Sequence, residues 1–183
     1  MVENMGLPEI TRPVGAAVGP PLVVVMGPAG VGKSTVGARL AAELRVPFAD
    51  GDAEHSPAAI ARMAAGIPLD DAIRKPWLDR LNRILSDHAA TGIVLACSAL
   101  TPAHRRELAR DLHGVVFIAL AAPREVLAER LASRSGHFAG PALLDSQLAT
   151  LELDDSVHVV DASGPVDATV ATAVRTLQAS RKA

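Results

Sequence analysis

The stretch LVVVMGPAGVGKST, residues 22–35, decides how this chain folds. Leu22 to Met26 is an unbroken apolar, valine-rich run, the pattern of a strand buried on both faces of a parallel sheet. Directly after it, GPAGVGKS fits G-x-x-x-x-G-K-[ST], with Gly27, Gly32, Lys33 and Ser34 at the fixed positions. Backbone N–H groups of such a loop converge on a phosphate, and glycine permits the positive φ and close approach this requires. A helical pattern from Lys33 to Leu44 follows, so a helix N-terminus faces the same anion. Gly27, Pro28, Ala29, Gly30, Val31, Gly32, Lys33, Ser34 and Thr35 are therefore the candidate ATP-binding residues. Lys33 supplies a point charge for the β- and γ-phosphates, and Ser34 offers a hydroxyl to Mg²⁺. A chance match in a glycine-rich turn is the competing explanation; the strand before the loop and the helix after it argue against that.

Outward from this unit, apolar runs alternate with helical patterns. Strands are expected at Pro47–Ala49, Gly92–Cys97, Gly114–Leu120 and Val157–Val160. Helices are expected at Pro57–Ala65, up to about Ala90 with Pro76 near the first turn, and at Pro102–Leu112, Pro123–Ser133 and Val166–Leu177. This order implies an α/β fold: a parallel sheet of about five strands between helical layers, with right-handed crossovers. Residues 1–20 contain Gly and Pro without periodicity and read as a loose leader; residues 21–183 read as a single domain. SRSGHFAG, residues 133–140, is a polar, glycine-bearing interruption, and a lid is expected at about 133–145.

Composition narrows the function. The chain has 183 residues, of which 49% are hydrophobic, enough for one sizeable core. A formal net charge of −2, three Phe, one Trp and no Tyr leave neither a basic field nor stacking platforms for nucleic acid. One cysteine, Cys97, rules out an internal disulfide framework, and the six histidines show no metal-ligand spacing. No secretory leader and no membrane-length apolar run are visible, so a cytoplasmic protein without membrane partners is expected.

The acceptor side is read from PFADGDAEHS, residues 47–56. Ligands of doubly wound sheets sit at the carboxyl ends of strands, which places Asp50 and Asp52 toward the γ-phosphate. An acceptor hydroxyl needs a base or an orienting group, and Mg²⁺ needs a hard oxygen ligand; two acids two residues apart can divide these jobs. Glu54 reads as a solvated turn residue. His55 either contacts a polyol or carboxylate substrate or is structural. Arg62, Arg74, Arg105, Arg130 and Arg134 are individually ambiguous. Arg130 and Arg134 stand at i, i+4 spacing beside the expected lid and suit a γ-phosphate in transfer. The acceptor carboxylate needs a cation, for which Arg74 or Arg105 is the candidate.

Several ordered blocks carry a resemblance: MGPAGVGKST, DGDAEH, RMAAGIPLDD, RKPWL, CSAL, RSGHF and DSQLATLE. From about residue 22 to residue 161 the chain resembles the gluconate kinases, P-loop relatives of the shikimate kinases. The resemblance implies a fold like the nucleoside monophosphate kinases, Mg·ATP as donor and D-gluconate as acceptor, phosphorylated to 6-phosphogluconate. It implies that Asp52 orients or deprotonates the acceptor and that Asp50 meets Mg²⁺ or its waters. It gives Arg130 or Arg134 the lid arginine role, sets Ser98 against the acceptor, adds Arg62, Arg105 and His137 from the matched blocks as expected acceptor-binding residues, and makes a homodimer common. Two other readings stay open: a kinase for shikimate or another aldonate, and a nucleotide-binding switch that transfers nothing.

Overall fold

The computed structural model describes residues 19–67, 69–133 and 141–180. Five strands form one parallel sheet: β1 Leu22–Met26, β2 Phe48–Asp50, β3 Ile93–Ala96, β4 Val115–Ala121 and β5 Val157–Asp161, in the spatial order β2-β3-β1-β4-β5. Seven α-helices are described: α1 Lys33–Leu44, α2 Pro57–Ala64, α3 Asp71–Asp87, α4 Pro102–Leu108, α5 Arg124–Ala132, α6 Pro141–Thr150 and α7 Val166–Ser180. The expected fold class is the observed one, and the central position of β1 explains its uninterrupted apolar run. Val25 lies in register with Ala96 on one side and Ile118 on the other, so both edges of the strand are paired.

Both faces of β1 are buried as well. Val23 and Val25 pack with Val36 and Leu40 of α1, Leu127 of α5, Leu144 of α6 and Ala173 of α7. Leu22, Val24 and Met26 point the other way, onto Trp77, Leu81 and Leu85 of α3 and Leu108 of α4. Alternation along one strand thus feeds two cores, and three layers result.

Two elements differ from the sequence expectation. α3 begins at Asp71, with the Asp70 carboxylate accepting from the Ile73 N–H at 2.9 Å, so Pro76 lies inside the helix and not at its first turn. Proline has no N–H to offer the carbonyl one turn back, and the tolerated gap is on the exposed side of the helix. The second difference is α6, which occupies residues 141–150, where the sequence suggested the end of a lid. Residues 134–140 of that expected lid, and most of the expected leader, lie outside the described residues. Among the described residues no helix is long and apolar enough to cross a membrane.

Candidate active site

The phosphate loop is set by its glycines and by the helix it opens. Gly32 caps α1 at φ 97°, a left-handed conformation that side chains rarely adopt, and no side chain caps the first-turn amides. Those amides are the unsatisfied donors of a helix N-terminus and point with its dipole at the loop's interior. Lys33 Nζ donates to the Pro28 carbonyl at 3.0 Å, folding the side chain over the loop. From the far side of the cleft, Gln147 of α6 accepts a hydrogen bond from the Ala29 N–H at 2.7 Å.

The acids reach the loop through β2. Asp50 ends the strand, and its carboxylate accepts from the Asp52 N–H at 3.0 Å, fixing a single 3-10 turn over Gly51–Glu54. Gly51 is required there by space: a Cβ would stand 2.7 Å from the Ala96 carbonyl and 2.9 Å from Cys97 Cβ. That close approach carries Asp52 to the end of β3. Trp77 locks the turn, donating from Nε1 to the Gly51 carbonyl at 2.7 Å while its ring stacks on His55 at 4.4 Å. Cys97 senses the convergence: its buried thiol is pushed far up, first by burial and then by the charge of Asp52, while Lys33 acts the other way. Cys97 is a protonated packing residue, as expected of a small side chain at a strand end.

One cleft joins these parts. Ala29, Gly30, Gly32, Lys33 and Ser34 line it with Asp52, Ser98, His55, Arg74, Trp77 and His104; Leu143, Ser146, Gln147 and Thr150 of α6 close it. Of the residues the sequence proposed for the acceptor, Asp52, His55, Arg74 and Ser98 come together here. Arg62 and Arg105 are not among the lining residues. Arg62 faces Asp70 at 3.8 Å. Arg105 is 2% exposed and spends its guanidinium on the Ala99 and Glu152 carbonyls and on Asp154, at 3.2, 3.0 and 2.9 Å. That engagement corrects the expectation that Arg105 is available to an acceptor carboxylate. Arg134 and His137 lie outside the described residues.

Burial is the main force on the two cleft histidines. It lowers His55, against the pull of Asp52, and it pushes His104 down to about 4, with help from Arg74. Both are neutral near pH 7. A second, shallower cleft lies on the other side of the phosphate loop, between Gly30, Thr35, Arg130, Ala162 and Thr169. Arg130 there donates to the Ala162 and Ser163 carbonyls at 2.8 and 3.2 Å. It lines this second cleft and not the one with Asp52. Sequence reasoning missed His104, Ser146, Gln147 and Thr150. His104 was legible only as the first-turn residue of a helix following a strand end; Ser146, Gln147 and Thr150 stood in the DSQLATLE block but received no role, because the helix that carries them was not foreseen.

Comparison with known proteins agrees with this geometry. The family model for shikimate kinase matches residues 29–159. A gluconokinase of Gluconobacter oxydans (strain 621H) is 43% identical over 148 residues, covering 79% of this chain and 83% of that protein. The thermoresistant gluconokinase of Escherichia coli (strain K12) is 37% identical over 164 residues, covering 86% and 93%. The crystal structure of a gluconokinase from Sinorhizobium meliloti 1021 superposes with a TM-score of 0.80 at 38% identity, covering 89% of this chain and 94% of that one. A phosphate loop and a carboxylate at adjacent strand ends, in a chain this similar over most of its length to these enzymes, place it in the gluconokinase family of shikimate-kinase-like P-loop kinases.

Proposed function

We propose that the chain catalyses phosphorylation of D-gluconate by ATP, giving 6-phospho-D-gluconate and ADP. The observation that carries this reading is the shared cleft, in which Lys33 and the phosphate loop face Asp52 across a space walled by polar side chains. The β- and γ-phosphates lie on the loop amides and Lys33. The adenosine half lies in the second cleft beside Arg130 and Thr169, which gives Arg130 a contact on the nucleoside side in place of the expected lid contact on the γ-phosphate.

In the transfer step, the terminal hydroxyl oxygen of the acceptor forms a bond to the γ-phosphorus. The bond from that phosphorus to the β,γ-bridging oxygen breaks, and ADP leaves with the electron pair. The hydroxyl proton passes to the Asp52 carboxylate, which orients the alcohol before transfer. Ser98 and His55 lie along the acceptor's path, and α6 excludes water from the cleft's roof, which favours transfer over hydrolysis.

The residues present fit Mg²⁺. Ser34 offers a hydroxyl in the cleft, and Asp50 uses one carboxylate oxygen on the Asp52 N–H while the other accepts no bond from the described residues. Such hard oxygen donors suit an ion that keeps most of its waters. When bound, Mg²⁺ supplies charge neutralisation at the phosphoryl oxygens.

The test is ADP formation with Mg·ATP and, side by side, D-gluconate, D-galactonate, shikimate and no acceptor. Gluconate is expected to stimulate ADP release most. Release equal to that without acceptor, for every compound, contradicts the reading.

A further inference from the structure

His55 and His104 both line the cleft, and among the described residues Nδ1 of each ring is buried without a hydrogen-bond partner, as are Nε of Arg62 and of Arg105 outside it. Buried polar atoms are nearly always satisfied, so an orphan beside an open cleft asks for a group that arrives with a ligand. His55 is already held face to face on Trp77, with 11° between the rings. Among the described residues His104 has no such stack. Only its backbone is tied, to Thr101 Oγ1 at 3.3 Å, at the N-terminus of α4.

The charges around His104 come from each element packed on it. From α3, Arg74 and Asp71 act on it, and from α4, Arg105 does. The Arg105 charge is compensated by Asp154 at 2.9 Å. Asp71 is 98% exposed, so its compensation of Arg74 is weakened by solvent. Farther along the same cleft stand His55, Asp52 and Lys33. Arg74 is 22% exposed and is the arginine that lines this cleft among the described residues. The wall built by α3 and α4 therefore offers one cation, tied to the exposed Asp71 at 2.9 Å and to the Leu69 carbonyl at 2.5 Å, beside a neutral imidazole whose side chain makes no hydrogen bond among the described residues.

Resting on the gluconate-kinase reading, we propose that Arg74 and His104 together grip the carboxylate end of the acceptor, making His104 a specificity residue that selects an aldonate over a neutral polyol. The docked anion then favours the imidazolium, so acceptor binding takes up a fraction of a proton. Arg74 alone would bind the anion without this uptake. His55 is the other ring able to take the proton, and substitution separates the two.

The experiment compares the wild type with His104→Gln and His55→Gln. It reads kcat and KM for gluconate and ATP. It also reads calorimetric binding of gluconate, and of neutral D-glucitol, in two buffers of different ionisation enthalpy, at a pH between 4 and 6.5. For His104→Gln, the gluconate KM is expected to rise roughly tenfold, the worth of one hydrogen bond to a charged group. The kcat and the ATP KM stay within about twofold, and glucitol binding is unchanged. Proton uptake seen in the wild type disappears in His104→Gln and persists in His55→Gln. Uptake that persists in His104→Gln, or a gluconate KM that does not move, overturns the proposal. If His104→Gln does not fold, the wild type and His55→Gln decide together: equal heats in both buffers for the wild type, or loss of the buffer dependence in His55→Gln, overturn it, and buffer-dependent heat with gluconate but not glucitol that persists in His55→Gln supports it. If gluconate is inert and another anionic acceptor is turned over, the function reading fails, and the same readouts on that acceptor decide this proposal.

Discussion

Lys33 is parked on the loop it serves. With its Nζ on the Pro28 carbonyl at 3.0 Å, the ammonium needs only a short rotation to reach a phosphate seated on the amides. Lys33→Ala is expected to cut gluconate-dependent turnover by at least ~10²-fold, as loss of one charge-stabilising donor does, with the circular dichroism spectrum unchanged. The cleft histidines make a prediction of the opposite kind, about stability. Burial lowers His104 from 6.5 to about 4 in the fold, so between those values the unfolded chain binds a proton that the native state refuses. Stability is therefore full above pH 6.5 and falls as pH drops toward 4, the sign for a group lowered on folding. Urea midpoints across that window are expected to fall less steeply in His104→Gln than in the wild type. An identical slope counts against a neutral, buried His104.

At the scale of elements, Arg105 is a strap. It joins the segment after β3, through the Ala99 carbonyl, to the segment after α6, through Glu152 and Asp154. Arg105→Ala leaves the buried Ala99 carbonyl and the part-buried Glu152 carbonyl without this donor and is expected to cost about 2–3 kcal/mol in urea unfolding; the exposed Asp154 end adds little. The gluconate KM is expected to change far less than in Arg74→Ala, and the reverse ranking would return Arg105 to the acceptor site. How much was legible in the sequence follows element by element. β1, the phosphate loop and α1 were readable because every constraint there is local: consecutive apolar residues, glycine dihedrals and helix periodicity. α6 was not. Leu144 faces the core, Ser146 and Gln147 face the cleft and Leu143 touches both, so its pattern serves two surfaces and shows little amphipathic periodicity. α3 was placed too late because Pro76 outweighed the cap at Asp70, though a side-chain cap is the better start signal. Arg105 could not be told from a ligand-binding arginine, because two of its three partners lie 47 and 49 residues away in sequence.

At the scale of the molecule, strand order does the assembling. The sequence β2-β3-β1-β4-β5 brings the end of β2, with Asp50 and Asp52, near the loop after β1, with β3 between them carrying Ser98 at its exit. The expected donor and acceptor sites thus meet at the carboxyl ends of neighbouring strands, as they do where strand order reverses in open α/β sheets. On the proposed reading the nucleotide is held by the loop between the core strand β1 and its helix α1, so binding is coupled to global unfolding. Mg·ATP at about 100 times its Kd is expected to raise unfolding free energy by about 2.7 kcal/mol, seen as a higher melting temperature, with little of that gain in Lys33→Ala. The central claim is that Asp52 directs the γ-phosphoryl group to an alcohol. Single-turnover transfer from Mg·ATP to gluconate by Asp52→Asn, measured beside ATP affinity, tests it most directly. The account predicts transfer slowed by at least ~10²-fold, in the range of a lost general base, with ATP affinity nearly intact. Transfer at the wild-type rate would contradict it.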